Sequence, residues 1–295
     1  MEVTLAQELN PREGRNVVKI AAITLLFIIT YFPIFADLHA KYSEIDSYYG
    51  HGYLIPLVSV FVIWHKRDRL RSMRVVPFPA GLLVLGGGLL LLLFGTWWYV
   101  NLVSNFSMLV VLGGLLLYLF GKAITRELLF SLAFLLFMIP LPKLSIIYIT
   151  FWLKLLAARA ATETVYAMGI PVLLRGAFIE LPNGLLEIDN ACSGLRSLIA
   201  LTALGVVYAY FQPVSPLKKC IVALTSIPIA MAANLIRIVS LIWVSYLYSP
   251  TGRAFEVADF TTGFLIFAIA LIGLYLVSKG SMAWERRQMT NSVFR

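Results

Sequence analysis

Eight stretches of this sequence are apolar for close to the length a lipid bilayer demands, and that feature decides the fold class. A hydrocarbon core about 30 Å thick takes roughly 20 apolar helical residues per crossing. Such stretches fall near 17–35, 52–65, 79–100, 105–121, 126–141, 192–211, 219–247 and 260–278, of which 52–65 and 126–141 are short. The chain is 60% hydrophobic and 13% charged, whereas soluble domains run nearer 45–50% apolar and about 25% charged. The expected architecture is therefore an all-α polytopic membrane protein of about eight transmembrane helices, forming one integral membrane domain over 1–295. The first apolar stretch follows a polar, charged head (1–16) and has no small-residue cleavage site before Asp37. It reads as a retained helix, not a removable signal peptide.

Charge sets the expected orientation. The net charge of +9 comes from basic clusters between apolar stretches, the pattern of membrane topology and not of a nucleic-acid-binding face. With the N-terminus inside, the cytoplasmic segments collect 16 of the 24 Lys and Arg: Arg12, Arg15 and Lys19, then Lys66 to Arg74, Lys122 and Arg126, Lys218 and Lys219, and the basic tail 279–295. Five helices then occupy 17–141, and 191–278 forms the final group. Between them, 142–190 is expected on the outer side. Within it, 144–168 carries Lys154, Arg159 and Glu163 and reads as an amphipathic helix on the outer interface. The stretch 170–189 brackets Arg175-Gly176 and Pro182-Asn183-Gly184 with apolar residues, a hairpin signal. An irregular β segment cannot face lipid, so it reads as a small outer cap.

Two cysteines exclude a disulfide framework or a four-cysteine metal site. His39, His51 and His65 lack Cys or Glu neighbours at metal-ligand spacing, so no metal and no cofactor is expected. The chemistry concentrates instead in Asn190-Ala191-Cys192-Ser193-Gly194-Leu195-Arg196-Ser197. The expectation is that Cys192 lies in the first turn of the helix that follows, where unpaired N–H groups and the helix dipole favour a thiolate. A lone small cysteine can also be mere packing. Arg196, one turn deeper, argues otherwise, because a guanidinium in the bilayer costs about 2.5 kcal/mol or more unless paired or lining a polar cavity. Arg237 lies 18 residues past Lys219, roughly 27 Å along the helix, near the outer surface. It could snorkel to headgroups or serve a site. Asp259 starts the last apolar stretch on the same side, as a cap or as a partner. Cys220 sits at the opposite end of its helix, beyond disulfide reach of Cys192.

The string LPNGLLEIDNACSGLRSLIALTALGVVYAY, the later NLIRI and the early HGYLIPLVSVFVIWHKR resemble the exosortase/archaeosortase family of polytopic cysteine transpeptidases. The resemblance extends over nearly the whole chain after the first helix, including Ile139-Pro140-Leu141-Pro142 and Gly169-Ile170-Pro171-Val172. The Cys-Ser-Gly-Leu-Arg-Ser core is its most specific part. It implies a nucleophile at Cys192 and an essential arginine at Arg237, within the Asn234-x-x-Arg237 element. The family's third position is usually histidine and falls here on Asp259, with Arg253 a worse-spaced substitute. His51 is an alternative proton carrier, since a free imidazole titrates near neutrality. Glu187 and Asp189 are available partners for Arg196.

The resemblance implies a partner set as well: exported proteins ending in a short motif, a transmembrane helix and a basic tail, cleaved outside a prokaryotic plasma membrane and passed to an unidentified acceptor nucleophile. Two other classes stay open on the residues alone. One is a transporter that binds an anionic substrate through intramembrane arginines, although no symmetry between halves is visible. The other is a catalytically silent scaffold.

Overall fold

The structure is a computed structural model. It describes residues 11–44, 47–187, 194–248 and 252–293, and side chains over 18–44, 47–186, 194–248 and 252–280. The chain divides into two compact units, Met1–Ile45 with Pro56–Pro140, and Asp46–Ile55 with Leu141–Arg295.

The first unit holds α1 (Pro11–Ser43), all but the first two residues of α2 (Leu54–His65), the short α3 (Arg67–Ser72), α4 (Gly81–Trp97) and α5 (Asn101–Phe134), followed by a 3-10 turn Leu135–Met138. The stretches expected at 105–121 and 126–141 are one assigned helix, but Gly121 breaks it with φ 82 and ψ 179. The break lies where the two stretches were expected to part. A side chain there would run into the Val76 carbonyl, since a Cβ on Gly121 would stand 1.8 Å from that oxygen. Close backbone approach thus fixes the kink to glycine. Helices α4 and α5 pack through Gly81, Gly88 and Gly95, each of which sets backbone directly against Tyr118, Val111 or Ser104. Such small-residue contacts are how helices associate where no water drives them together. Several buried polar groups in this unit are paired: Tyr31 with Ser107 at 3.1 Å, Ser59 with the Ser131 carbonyl, and Tyr42 with the Met138 carbonyl. Glu127 takes Lys66 at 2.8 Å and Arg69 at 3.2 Å.

The second unit holds α6 (Lys143–Ala167), β1 (Leu173–Arg175), β2 (Phe178–Leu181), β3 (Gly184–Glu187), α7 (Leu195–Phe211), α8 (Pro216–Leu247) and α9 (Arg253–Val293). A 3-10 turn, Gly50–Tyr53, belongs to it and runs ahead of α2. The expected hairpin is a three-stranded antiparallel meander, β1-β2-β3. Its turns overlap the predicted segments: the first is Gly176-Ala177, with Gly176 at φ 65, and the second is Pro182-Asn183, with Gly184 already in β3. Asn183 donates to the Tyr246 carbonyl of α8, and Arg175 pairs with Glu180 across β1 and β2 at 3.0 Å. The inner face of the sheet supplies Ile179, Leu181 and Leu186 to a core shared with Ala158, Ala161 and Val165 of α6 and Ile238 and Ile242 of α8.

Helix α6 corrects an expectation. It was read as amphipathic and interfacial, yet it is 25 residues long and apolar enough to cross a membrane. Its exposed side over the first turns is Leu144, Ile147, Tyr148, Phe151 and Trp152, where an interfacial helix would turn charges to water. Of the three charges behind that expectation, Lys154, Arg159 and Glu163, the last two pair with each other at 3.0 Å in its second half. Among the described residues five helices are long and apolar enough to span (within α1, α5 with its 3-10 turn, α6, α8 and α9), and α4, α7 and the Gly50–His65 segment are shorter apolar helices. The eight crossings expected are therefore not reproduced one for one.

Candidate functional site

Three helices of the second unit build the site. Helix α7 begins at Leu195, capped by Gly194 in the left-handed region with φ 80. Glycine is required there for two reasons. Positive φ strains any side-chain-bearing residue, and a Cβ would stand 2.7 Å from Asn234 Nδ2 and 2.9 Å from its Cγ. The group packed against Gly194 is the Asn234 side chain, 4% exposed on α8. The Gly194 carbonyl accepts from the Leu198 N–H at 2.8 Å and from the Ser197 hydroxyl at 3.0 Å.

One turn along α8 from Asn234, on the same face, stands Arg237. Its Nη2 donates to Asp259 Oδ1 of α9 at 2.6 Å, with the arginine side chain 12% exposed and the aspartate 40%. Snorkelling to headgroups is therefore not what Arg237 does. Nor is Asp259 an N-cap, since α9 begins at Arg253 and Asp259 lies beyond its first turn. Arg237 Nε is buried and has no hydrogen-bond partner among the described residues. A guanidinium carries five donors in a fixed fork, so this one retains a donor for a further acceptor. Arg253, the other candidate for the third position, is exposed at the first residue of α9; the residue that meets Arg237 is Asp259.

The remaining sequence-identified residues fare differently. Cys192 and Asp189 lie outside the described residues. Glu187 closes β3 opposite Phe178, and its side chain lies outside those described. Arg196 is partly buried in the first turn of α7. His51 sits in the Gly50–Tyr53 turn, its ring 5.8 Å from that of Tyr49. Both its ring nitrogens are buried without a hydrogen-bond partner among the described residues. Burial pushes the pKa of this imidazole down, because desolvation penalises the charged form. Tyr49 in turn is anchored, its phenol oxygen accepting from the Leu141 N–H at 3.0 Å. The structure thus joins Arg237 to Asp259 and Gly194 to Asn234, and leaves His51 without a bond to any of them.

One feature was missed by the sequence reading. A cavity of about 270 Å³ opens between α6, α7 and α8, lined by Leu153, Leu156, Ala157 and Ala160 on one side and Leu198, Ala230 and Met231 on the others, with Gly194 and Asn234 also in its lining. The Ala-Ala-x-Ala-Ala run at 157–161 was the available signal.

The sequence matches the family model described as transmembrane exosortase (Exosortase_EpsH) over residues 41–276. The chain therefore belongs to the transmembrane exosortase family, and with its apolar helices it is a multi-pass membrane protein. No curated protein and no solved structure matches it.

Proposed function

We propose that this protein is a membrane cysteine peptidase and transpeptidase that removes C-terminal sorting tails from exported proteins at the outer face of a prokaryotic plasma membrane. The observation that carries the reading is the Arg237–Asp259 pair at 2.6 Å, one helical turn from the Asn234 side chain that Gly194 abuts. Cys192 is two residues from Gly194, and two residues reach at most about 7 Å. In this reading the Cys192 nucleophile works beside a cation that keeps one donor unspent.

In this reading the Cys192 thiolate attacks the carbonyl carbon of the scissile peptide, and the carbonyl oxygen takes up the negative charge. The Arg237 fork stabilises that oxygen, a role in which one donor can be worth about 3 kcal/mol. Asp259, committed to Nη2, orients the fork. Collapse of the tetrahedral intermediate breaks the C–N bond, the leaving amine takes a proton, and a thioester remains on Cys192. An acceptor nucleophile then displaces the thiol and completes transfer of the protein. With Asp259 occupied by Arg237, the proton-carrying role falls to His51. It takes the thiol proton of Cys192 as the thiolate forms and returns that proton to the leaving amine; both its ring nitrogens are buried without a hydrogen-bond partner among the described residues, and the turn that bears it belongs to the unit holding the pair.

Hydroxylamine trapping tests the covalent step. Added to membranes containing the enzyme and a tailed precursor, hydroxylamine should release the shortened protein as its C-terminal hydroxamate, detectable by mass. The Cys192→Ala variant should give none. Hydroxamate at wild-type level from Cys192→Ala, or none from the wild type while shortened protein accumulates, contradicts the thioester. A scaffold or a transporter yields no shortened protein at all.

A further inference from the structure

The cavity between α6, α7 and α8 differs in kind from the other apolar hollows of the molecule. The hollow on α4 is walled by Leu90, Leu93, Phe94, Trp97 and Trp98, and that along the start of α6 by Leu144, Ile147, Tyr148 and Phe151. Those are shallow gaps between bulky lipid-facing side chains. The α6–α7–α8 cavity has a floor of small residues instead, Ala157 and Ala160 from α6 and Ala230 from α8, with Leu156 and Met231 exposed in its lining. Small residues here let a neighbouring helix lie close along this side of the bundle, so that its side chains reach the slot. The lining is apolar except where Gly194 and Asn234 contribute to it, the two residues that tie α7 to the turn of α8 before Arg237.

Size narrows the occupant further. At ~30 Å³ per water-sized group, about 270 Å³ holds roughly nine heavy atoms, or two four-carbon side chains. A whole helix, about 10 Å across, cannot enter, but the aliphatic side chains on one of its faces can. The slot runs along α6 from Leu153 to Ala160, seven residues or about 10 Å. That length matches two side chains at i and i+4 or i and i+7 on a helix lying alongside.

We propose that this slot is the docking site for the membrane-embedded helix of the substrate, receiving two aliphatic side chains from its part next to the scissile bond. The proposal rests on the peptidase reading above and adds to it a specificity element. Ala157 and Ala160 set the size of the side chains accepted. Docking there brings the adjoining peptide to the Gly194 and Asn234 part of the lining.

A photo-crosslinking amino acid at Met231, in the full-length membrane-inserted Cys192→Ala protein, tests it directly. Expressed with an epitope-tagged precursor, it should crosslink to the apolar segment of the precursor's tail. The same probe at Phe264, exposed on α9, serves as the comparison and should crosslink at least about tenfold less. Crosslinks from Met231 to phospholipid alone, or to a second copy of the enzyme, overturn the proposal. Size selection is read separately. Ala160→Leu should reduce cleavage of a tail with leucines at those positions about tenfold, and cleavage should return when those leucines are replaced by alanine. Equal processing of both tails by Ala160→Leu also overturns it. If the Met231 crosslink forms but Cys192→Ala still cleaves, docking stands and the peptidase reading fails, so the two failures are distinguishable.

Discussion

The two units each hold a carboxylate–cation cluster among apolar helices, and the difference between them is informative. In the first, Glu127 is 15% exposed and engaged by both Lys66 and Arg69, with Lys66 also donating to the Glu127 backbone carbonyl. Every partner in that cluster lies on a neighbouring segment of the same unit, and the arrangement closes on itself. In the second, the buried member is the cation. Arg237 gives one Nη to Asp259, keeps a buried Nε without a partner among the described residues, and faces an aspartate that is 40% exposed. A closed cluster braces helices. One that leaves a desolvated donor open beside an accessible carboxylate is arranged for a further occupant, since buried polar groups are otherwise satisfied. The same contrast holds for packing. The α4–α5 contact is filled by glycines set against backbone, while the small residues between α6 and α8 leave a slot.

Substitutions can sharpen or break this comparison. Cys192→Ala should lower tail processing at least about a thousandfold, because loss of a nucleophile removes the covalent route outright. Arg237→Ala comes next, at about a hundredfold or more. Arg237→Lys should recover little, since an ammonium keeps the charge and loses the fork. Membrane assays on a tailed reporter would rank both, with protein level checked by blotting. Gly194→Ala should reduce processing about tenfold and destabilise the fold by roughly 1–2 kcal/mol, given positive φ and the collision with Asn234. A drop in melting temperature without lost activity would mean the Gly194–Asn234 contact is structural only. Asp259→Asn should cost about tenfold or less, the scale of one hydrogen bond to a charged group, and chiefly in turnover, because it only orients Arg237. The smallest effect on activity belongs to the closed cluster. Glu127→Gln should leave processing unchanged while lowering thermal stability in detergent, because Lys66 and Arg69 lose their carboxylate. Lost processing in a folded Glu127→Gln protein would break the comparison.

Much of this was legible in the sequence, for reasons that differ by element. The apolar lengths announced a helical membrane protein because the bilayer leaves few alternatives. The meander was legible through Gly176 and Asn183-Gly184, residues whose backbone preferences act locally. Arg237 and Asp259 drew notice because charge in an apolar stretch requires a partner, though that they partner each other is a tertiary fact. Helix α6 differs from its interfacial expectation because Lys154, Arg159 and Glu163 interrupt its hydropathy; the Arg159–Glu163 pair at i,i+4 spacing was legible in the sequence and shows that two of these charges satisfy each other. The division of α5 was anticipated as two spans, but the agent is the close approach of Val76 to Gly121, a contact over 45 residues of sequence. The slot depends on how three helices diverge, which no single segment encodes.

The central claim is that the open cluster belongs to a cysteine peptidase acting on membrane-anchored tails. Mass spectrometry of envelope-protein C-termini tests it most directly, comparing host cells that carry the wild-type protein with cells that carry Cys192→Ala at equal abundance. The account predicts a set of proteins that keep their apolar, basic tails only in the variant, all cut at a common motif in the wild type. Identical C-termini in both strains, with the variant folded and inserted, would contradict it.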